Sequence, residues 1–247
     1  MPSLSMHITT PNNKTKIRGF TLTELTIVLI IISLLLGGML MPLSAQRDLR
    51  ANSETQDLLN EINNSLMGFA IANGYFPCPA ISSSNGLEDR AVLTLICNKD
   101  YGILPWTTLG VKPTDSWGRL FYYRASPNFS SGSPGTKFSY LSGRDITIKT
   151  RNTAGVLTNL SNTNDIPIAF FSTGKNGYWG TQQDAAGKNP DSLGINDDED
   201  TNSGNMKILI SRENSPDTSP GGEFDDLVAW ISPGIIFAKM TAAGRLP

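Results

Sequence analysis

Few side chains in this sequence can do acid–base or metal chemistry, and their positions narrow what the protein does. The only histidine, His7, lies in a head segment that carries Lys14, Lys16 and Arg18 and no acid. Loss of that head leaves no imidazole for general-base work or metal ligation. Ser-His-Asp and Cys-His catalytic sites are then excluded. The two cysteines, Cys78 and Cys97, match no zinc-ligand spacing. Carboxylates remain. They gather at Asn196-Asp197-Asp198-Glu199-Asp200 and again at Asp225-Asp226. Hard cations take several carboxylate and carbonyl oxygens, so this chemistry suits Ca2+. The spacing is not that of an EF-hand, and a solvated acidic surface is the ordinary reading of such runs. One more acid, Glu24, stands near the head of a long apolar run. An unpaired ionised carboxylate costs several kcal/mol to remove from water. Glu24 therefore sits at a lipid–water boundary or has a partner.

A chain of 247 residues has room for one sizeable domain plus an anchor, or for two small domains. The formal charge is −2, unevenly spread: residues 20–247 hold 17 basic and 22 acidic side chains, a formal −5. An acidic body argues against phosphate-driven, non-specific nucleic-acid binding. Lys137, Arg144, Lys149 and Arg151 would make at most a small basic stripe, and read as scattered surface charge.

The seventeen residues Leu25 to Met41 carry no charge. As a helix they span roughly 25 Å, and Phe20–Thr23 with Leu43 bring the run to membrane length. Basic residues precede it, which predicts residues 1–19 in the cytoplasm and the rest outside. A secretory signal has small residues and a cleavage site after its apolar stretch. Met39-Leu40-Met41-Pro42-Leu43 offers none.

Upstream, Lys16-Ile17-Arg18-Gly19-Phe20-Thr21-Leu22-Thr23-Glu24 resembles the class III signal of type IV prepilins and type II secretion pseudopilins. The resemblance implies cleavage between Gly19 and Phe20 by a prepilin peptidase, from a leader that starts at Met1 or Met6. It implies N-methylation of Phe20. It also implies that Glu24 pairs with the N-terminal amine of a neighbouring subunit. A buried charge pair adds little stability but sets register well. The alternative is a plain single-pass anchor with Glu24 at the interface.

Beyond the anchor, Gly37-Gly38 and Pro42 weaken a helix, and pilin-like proteins often carry a proline there. Leu59, Ile62, Leu66 and Phe69 then recur at helical spacing, with Leu58 alongside. Gly74 is placed as a helix-ending glycine, and Pro77 and Pro79 block resumption. The pattern predicts one helix over Thr21–Asn73, or two helices broken at Pro42. If the outer part lies in an oxidising compartment, Cys78 and Cys97 form a disulfide.

Asp115-Ser116-Trp117-Gly118, with Leu104–Gly110 before it, resembles a pseudopilin stretch that leads into the first strand of the sheet. Strands are predicted at Arg119–Ala125, Lys137–Leu141, Ile146–Thr150, Ile166–Ser172, Met206–Ser211 and Leu227–Ile231. An antiparallel sheet laid on the helix buries both apolar faces, with Trp106 and Trp117 in the core. Residues 173–205 read as a long insertion. Gly221–Trp230 resembles the C-terminal segment of major pseudopilins, a region that binds calcium in several of them. Asp197, Asp198, Asp200, Asp225 and Asp226 are the candidate ligands.

The expected fold is α+β and pilin-like: leader 1–19, assembly helix 20–43, its amphipathic continuation 44–74, and a β-rich domain over 75–247. The expected role is structural, not enzymatic: a minor pilin or pseudopilin of a type IV pilus or type II secretion pseudopilus. Its partners would be prepilin peptidase, other pilin subunits and the bacterial inner membrane, with the C-terminal domain in the periplasm or, after assembly, on the cell surface. No specific nucleic acid is expected. The alternatives are a filament-tip subunit for adhesion or DNA uptake, or an anchored periplasmic domain that does not polymerise.

Overall fold

The computed structural model describes residues 19–133, 138–183, 189–190 and 194–246, with 38–43 described as backbone alone. In chain order the elements are α1 (Leu22–Asn73), β1 (Tyr101–Ile103), α2 (Trp106–Leu109), β2 (Tyr122–Ala125), α3 (Pro127–Ser130), β3 (Thr147–Arg151) and β4 (Leu157–Asn159). There follow β5 (Ile168–Ser172), α4 (Asp197–Ser203), β6 (Ile208–Ile210), β7 (Leu227–Ile231) and α5 (Pro233–Ala242). The molecule is α+β and pilin-like. The leader positions, His7 included, lie outside the described residues.

Two compact units divide the chain, residues 1–47 and 48–247. In the first, α1 leaves its apolar side chains bare: Phe20 is 89% exposed, and Leu25, Ile27, Leu29 and Leu34 are all exposed. Among the described residues no helix is long and apolar enough to cross a membrane. The uncharged run continues through 38–43, whose side chains lie outside the described residues. The helix itself is one element of 52 residues, so the two-helix alternative fails.

In the second unit the predicted stripe finds its partner. Leu59, Ile62 and Leu66 are buried, joined by Met67 and Ala70, in one cluster with Phe121, Tyr123, Ile168, Phe170 and Ile231. Each buried Leu, Ile, Met or Phe side chain here is worth about 1.5–3 kcal/mol. Phe69 lies at the stripe's margin, half-buried, with its ring edge-on to Tyr75 at 6.0 Å. Gly74 ends the helix at φ 85, with its N–H on Ala70 O. Arg245 then donates to Ala72 O at 2.6 Å, satisfying a carbonyl that the helix end leaves unpaired.

The sheet on this helix has strand order β1-β2-β5-β7, antiparallel throughout. A second, three-stranded sheet, β4-β3-β6, was not anticipated. Its β3 and β6 run parallel, which the long intervening chain allows. β7 matches its predicted span, and β2, β3, β5 and β6 fall within or beside theirs. The strand predicted at Lys137–Leu141 is not one. Over 138–141 the chain turns, with Ser142 N–H on Ser139 O, while Phe138 stacks on Phe129 at 4.8 Å. Lys137 lies outside the described residues. Trp106 is core, but Trp117 is only half-buried.

Asp115 organises the turn before β2. Its Oδ1 accepts from the N–H groups of Trp117 and Arg119, and its Oδ2 from Ser172 Oγ. Gly118 completes the turn at φ 81. Cys78 and Cys97 are joined in a disulfide that closes the loop opening the domain. A bridge across 19 positions is worth about 3 kcal/mol by loop closure. The double variant Cys78→Ser/Cys97→Ser should lose that stability in urea melts, with m raised because the unbridged unfolded chain is more expanded.

Candidate functional site

Two groups of acids stand out. The first is Glu24, in the opening turn of α1. Thr21 N–H and Thr21 Oγ1 both donate to Glu24 Oε2 at 2.9 Å, and Glu24 N–H reaches back to Thr21 Oγ1 at 3.3 Å. This is a capping box: two amide donors that the helix start leaves orphaned are satisfied reciprocally. It holds the carboxylate in place with Oε2 engaged. Oε1 has no hydrogen bond among the described residues. Phe20 and Gly19 sit just ahead, both exposed.

The second is a buried triad, Glu199, Asp225 and Asp226, whose ligand oxygens lie within 4.8 Å of one another. They are 1%, 9% and 5% exposed. Asp225 and Asp226 lead into β7, and Glu199 comes from α4. The third wall is the loop after β5. There Asn176 N–H donates to Asp225 Oδ2 at 2.8 Å, and Asn176 Nδ2 donates to both Glu199 oxygens. Asp225 N–H binds Glu199 Oε1, and Asn202 Nδ2 binds Asp226 Oδ2 at 2.8 Å. Gly174, at φ 60, lies so close that a Cβ would collide with the Asp225 carboxylate. Asp225 Oδ1 and Asp226 Oδ1 are buried and meet no donor among the described residues.

Three carboxylates this close and this dry resist ionisation. Burial, reinforced by the Asp225 charge, raises Glu199 to about 8. Burial likewise raises Asp225 to about 6. Asp226 is held well above the carboxylate range by burial and then by the Glu199 charge. The cluster thus holds protons to higher pH than ordinary carboxylates do.

The other predicted ligands go elsewhere. Asp198 is spent on two guanidiniums: Arg151 bonds both its oxygens at 2.7 Å, and Arg212 Nε lies 2.8 Å from Oδ2. Asp200 is exposed and accepts from Trp179 Nε1. Asp197 is exposed in the first turn of α4. Residues 197–203, read as loop, form a helix, and its turn of about 100° per residue points adjacent acids in different directions. Glu199, which meets Asp225 and Asp226, was not among the predicted residues; helical phasing of the same acid run would have separated it from its neighbours.

Residues 14–40 match the family described as the prokaryotic N-terminal methylation motif. That is the signature of type IV prepilins and pseudopilins, and it covers the Gly19-Phe20 junction and Glu24. No curated protein matches the chain, and neither does any solved structure.

The acid triad has a pH signature. The ordinary value for Glu199 is 4.5 and its folded value is about 8. A carboxylate raised on folding favours the fold while it is protonated. That stability is lost as pH rises from about 4.5 through about 8. In chelator, thermal melts of the detergent-solubilised protein should show Tm falling between pH 5.5 and 8.5. The Glu199→Gln variant should show a markedly shallower fall.

Proposed function

We propose that this protein is a structural subunit, a minor pilin or pseudopilin, of a type IV pilus or type II secretion pseudopilus. The methylation motif over residues 14–40 carries this reading. Prepilin peptidase cuts between Gly19 and Phe20, and the new Phe20 amine is methylated. The bare apolar helix then serves first as an inner-membrane anchor and later as the packing element among sibling subunits. Lateral burial of apolar area supplies adhesion. Glu24, held by Thr21, pairs with a neighbour's terminal amine and sets the stagger. The Cys78–Cys97 bridge supports a periplasmic placement of the C-terminal domain. With the one histidine in the leader, the role is structural rather than enzymatic. Gly19→Ala should leave the leader attached, read as an intact mass heavier by residues 1–19. Glu24→Ala should be processed normally yet recover few sibling pilins on pull-down. Normal processing of the first variant contradicts this reading.

The donor-less oxygens of Asp225 and Asp226 favour a second property, Ca2+ binding by Glu199, Asp225 and Asp226. The carboxylates suit a hard cation, and binding would replace protons and pin α4 and the Asn176 loop to the start of β7. Calorimetric titration at pH 7.5 should give heat and a Tm rise with Ca2+, both lost in Asp226→Asn. Titration without heat or thermal shift removes the idea.

A further inference from the structure

The loop closed by the Cys78–Cys97 disulfide carries a knob and borders a cavity. Residues 88–91 and 96–99 pair as a hairpin: Ala91 N–H binds Ile96 O and Asn98 N–H binds Asp89 O. The turn between them holds two aliphatic side chains in solvent, Val92 at 88% and Leu93 at 96% exposure. Ala91-Val92-Leu93-Thr94-Leu95-Ile96 has no charge. Single apolar residues scattered on a surface need no explanation, but this pair is held out by a built turn. Leu95 takes the left-handed conformation at φ 56, which is costly for a side chain of its bulk. Its N–H binds Ala91 O, and its carbonyl accepts from Gly132 N–H at 2.9 Å and from Arg90 Nη1 at 2.7 Å. Ser133 Oγ donates to the preceding carbonyl, Thr94 O. Strain of this kind persists where surrounding contacts over-determine it, and it collects at binding sites.

The cavity opens at the other end of the same hairpin. It holds about 210 Å³, and Ala80, Tyr101, Ile103 and Tyr122 give it apolar walls. Ser82, Lys99, Thr181 and Ser203 also line it, and each of these polar side chains is already engaged. Thr181 Oγ1 and Tyr122 Oη bond each other at 2.8 Å, and Tyr122 Oη also donates to Trp179 O. Ser203 Oγ donates to Asp200 O, Ser82 Oγ accepts from Asn85 N–H, and Lys99 Nζ donates to Ile81 O. Asp89 lies 3.7 Å from that ammonium, so the charge in the wall is compensated within the chain. A cavity whose polar groups are satisfied in this way suits an apolar guest. About 150 Å³ takes one benzene-sized guest, so this cavity admits a leucine side chain together with part of a valine.

Knob and cavity thus match in size and polarity, yet one chain cannot join them. The turn closes one end of the hairpin, while Lys99 and the Ala80–Glu88 bridge lie at the other. The paired arms hold the two roughly 13 Å apart at the strand rise per residue. We propose that Val92 and Leu93 of one copy insert into this cavity of a second copy. Both features belong to one hairpin, so a twofold pair seats both knobs at once, in an isologous contact. Once one knob is seated the other inserts as an intramolecular step, and two small contacts hold where one would not. The fixed turn at Leu95 lowers the ordering cost of each. Every residue involved lies within the unit 48–247, and the inference goes beyond the pilin reading without resting on it.

The test uses the full chain in detergent, as an equal mixture of isotope-labelled and unlabelled protein, with a photoreactive diazirine analogue of leucine at position 93. Illumination should give cross-linked dimers of mixed label, joined at a peptide that contains Lys99–Ile103 or Ser203–Gly204. Ser203→Phe, which fills the cavity from its wall, should cut that yield about tenfold or more. Leu93→Asp alters a side chain that packs on nothing in its own chain, at 96% exposure, and should keep the wild-type Tm. Its carboxylate meets an apolar cavity in the partner, so sedimentation should show the dimer dissociation constant raised about tenfold or more. Association through the N-terminal helices would be equal in both proteins and does not mimic this shift. Absence of mixed-label dimer, a junction elsewhere on the chain, or capture of detergent alone overturns the proposal. So does a yield that a folded Ser203→Phe leaves unchanged, or a dissociation constant that Leu93→Asp does not move. Should Ser203→Phe not fold, the junction and the Leu93→Asp constant decide.

Discussion

One seam of side chains orders the domain. Leu59, Ile62, Leu66, Met67 and Ala70 press the second half of α1 into the four-stranded sheet. Those residues sit at helical spacing, and the facing positions on β2 and β5 alternate along their strands, so the two periods mesh only with the sheet's apolar face turned to the helix. The seam leaves the other sheet face free to build a second cluster with Ile146, Ile148 and Leu209. That cluster in turn fixes where α4 and the acid triad fall. In the first half of the same helix the described apolar side chains are exposed over a long run.

Charge is handled in two ways. Arg124 is fully buried yet paired with Asp100 and Asp145, and Asp198 is shared by Arg151 and Arg212. These groups obey the rule that buried charge is compensated. The triad of Glu199, Asp225 and Asp226 breaks it. Asn176 and Asn202 supply some donors, but no guanidinium or ammonium is bonded to these carboxylates among the described residues. A native fold tolerates such a cluster only if protons or a cation complete it. That is why the same three residues carry both the pH dependence and the proposed Ca2+ site.

The β7 edge is a similar incompleteness in a different form. A strand at the rim of a sheet leaves one row of backbone groups outside the ladder. Here they lie near the second half of α1. The bare helix, the uncompensated acids and the open edge are three places where the isolated chain is physically unfinished.

Much of this was legible in the residues. The motif around Gly19, Phe20 and Glu24 is local, and so are the helix-ending Gly74, the apolar stripe from Leu59 and the span of β7. Short-range patterns suffice because capping, periodicity and turn chemistry act over a few positions. The false strand at Lys137–Leu141 shows the limit: Phe138 is buried by aromatic stacking in a turn, which local composition does not distinguish from a strand. The helix over Asp197–Ser203 shows it again. Asp198 was taken by two arginines from distant segments, and Glu199 was turned toward Asp225 and Asp226. Those pairings join residues fourteen or more positions apart, which no spacing rule encodes. The amino-acid order by itself determined the N-terminal methylation motif, the helix that follows it and the helix–sheet architecture. Only the folded packing decided which acids meet without a counter-charge and which strand edge is left open, because both depend on contacts between segments far apart in the chain.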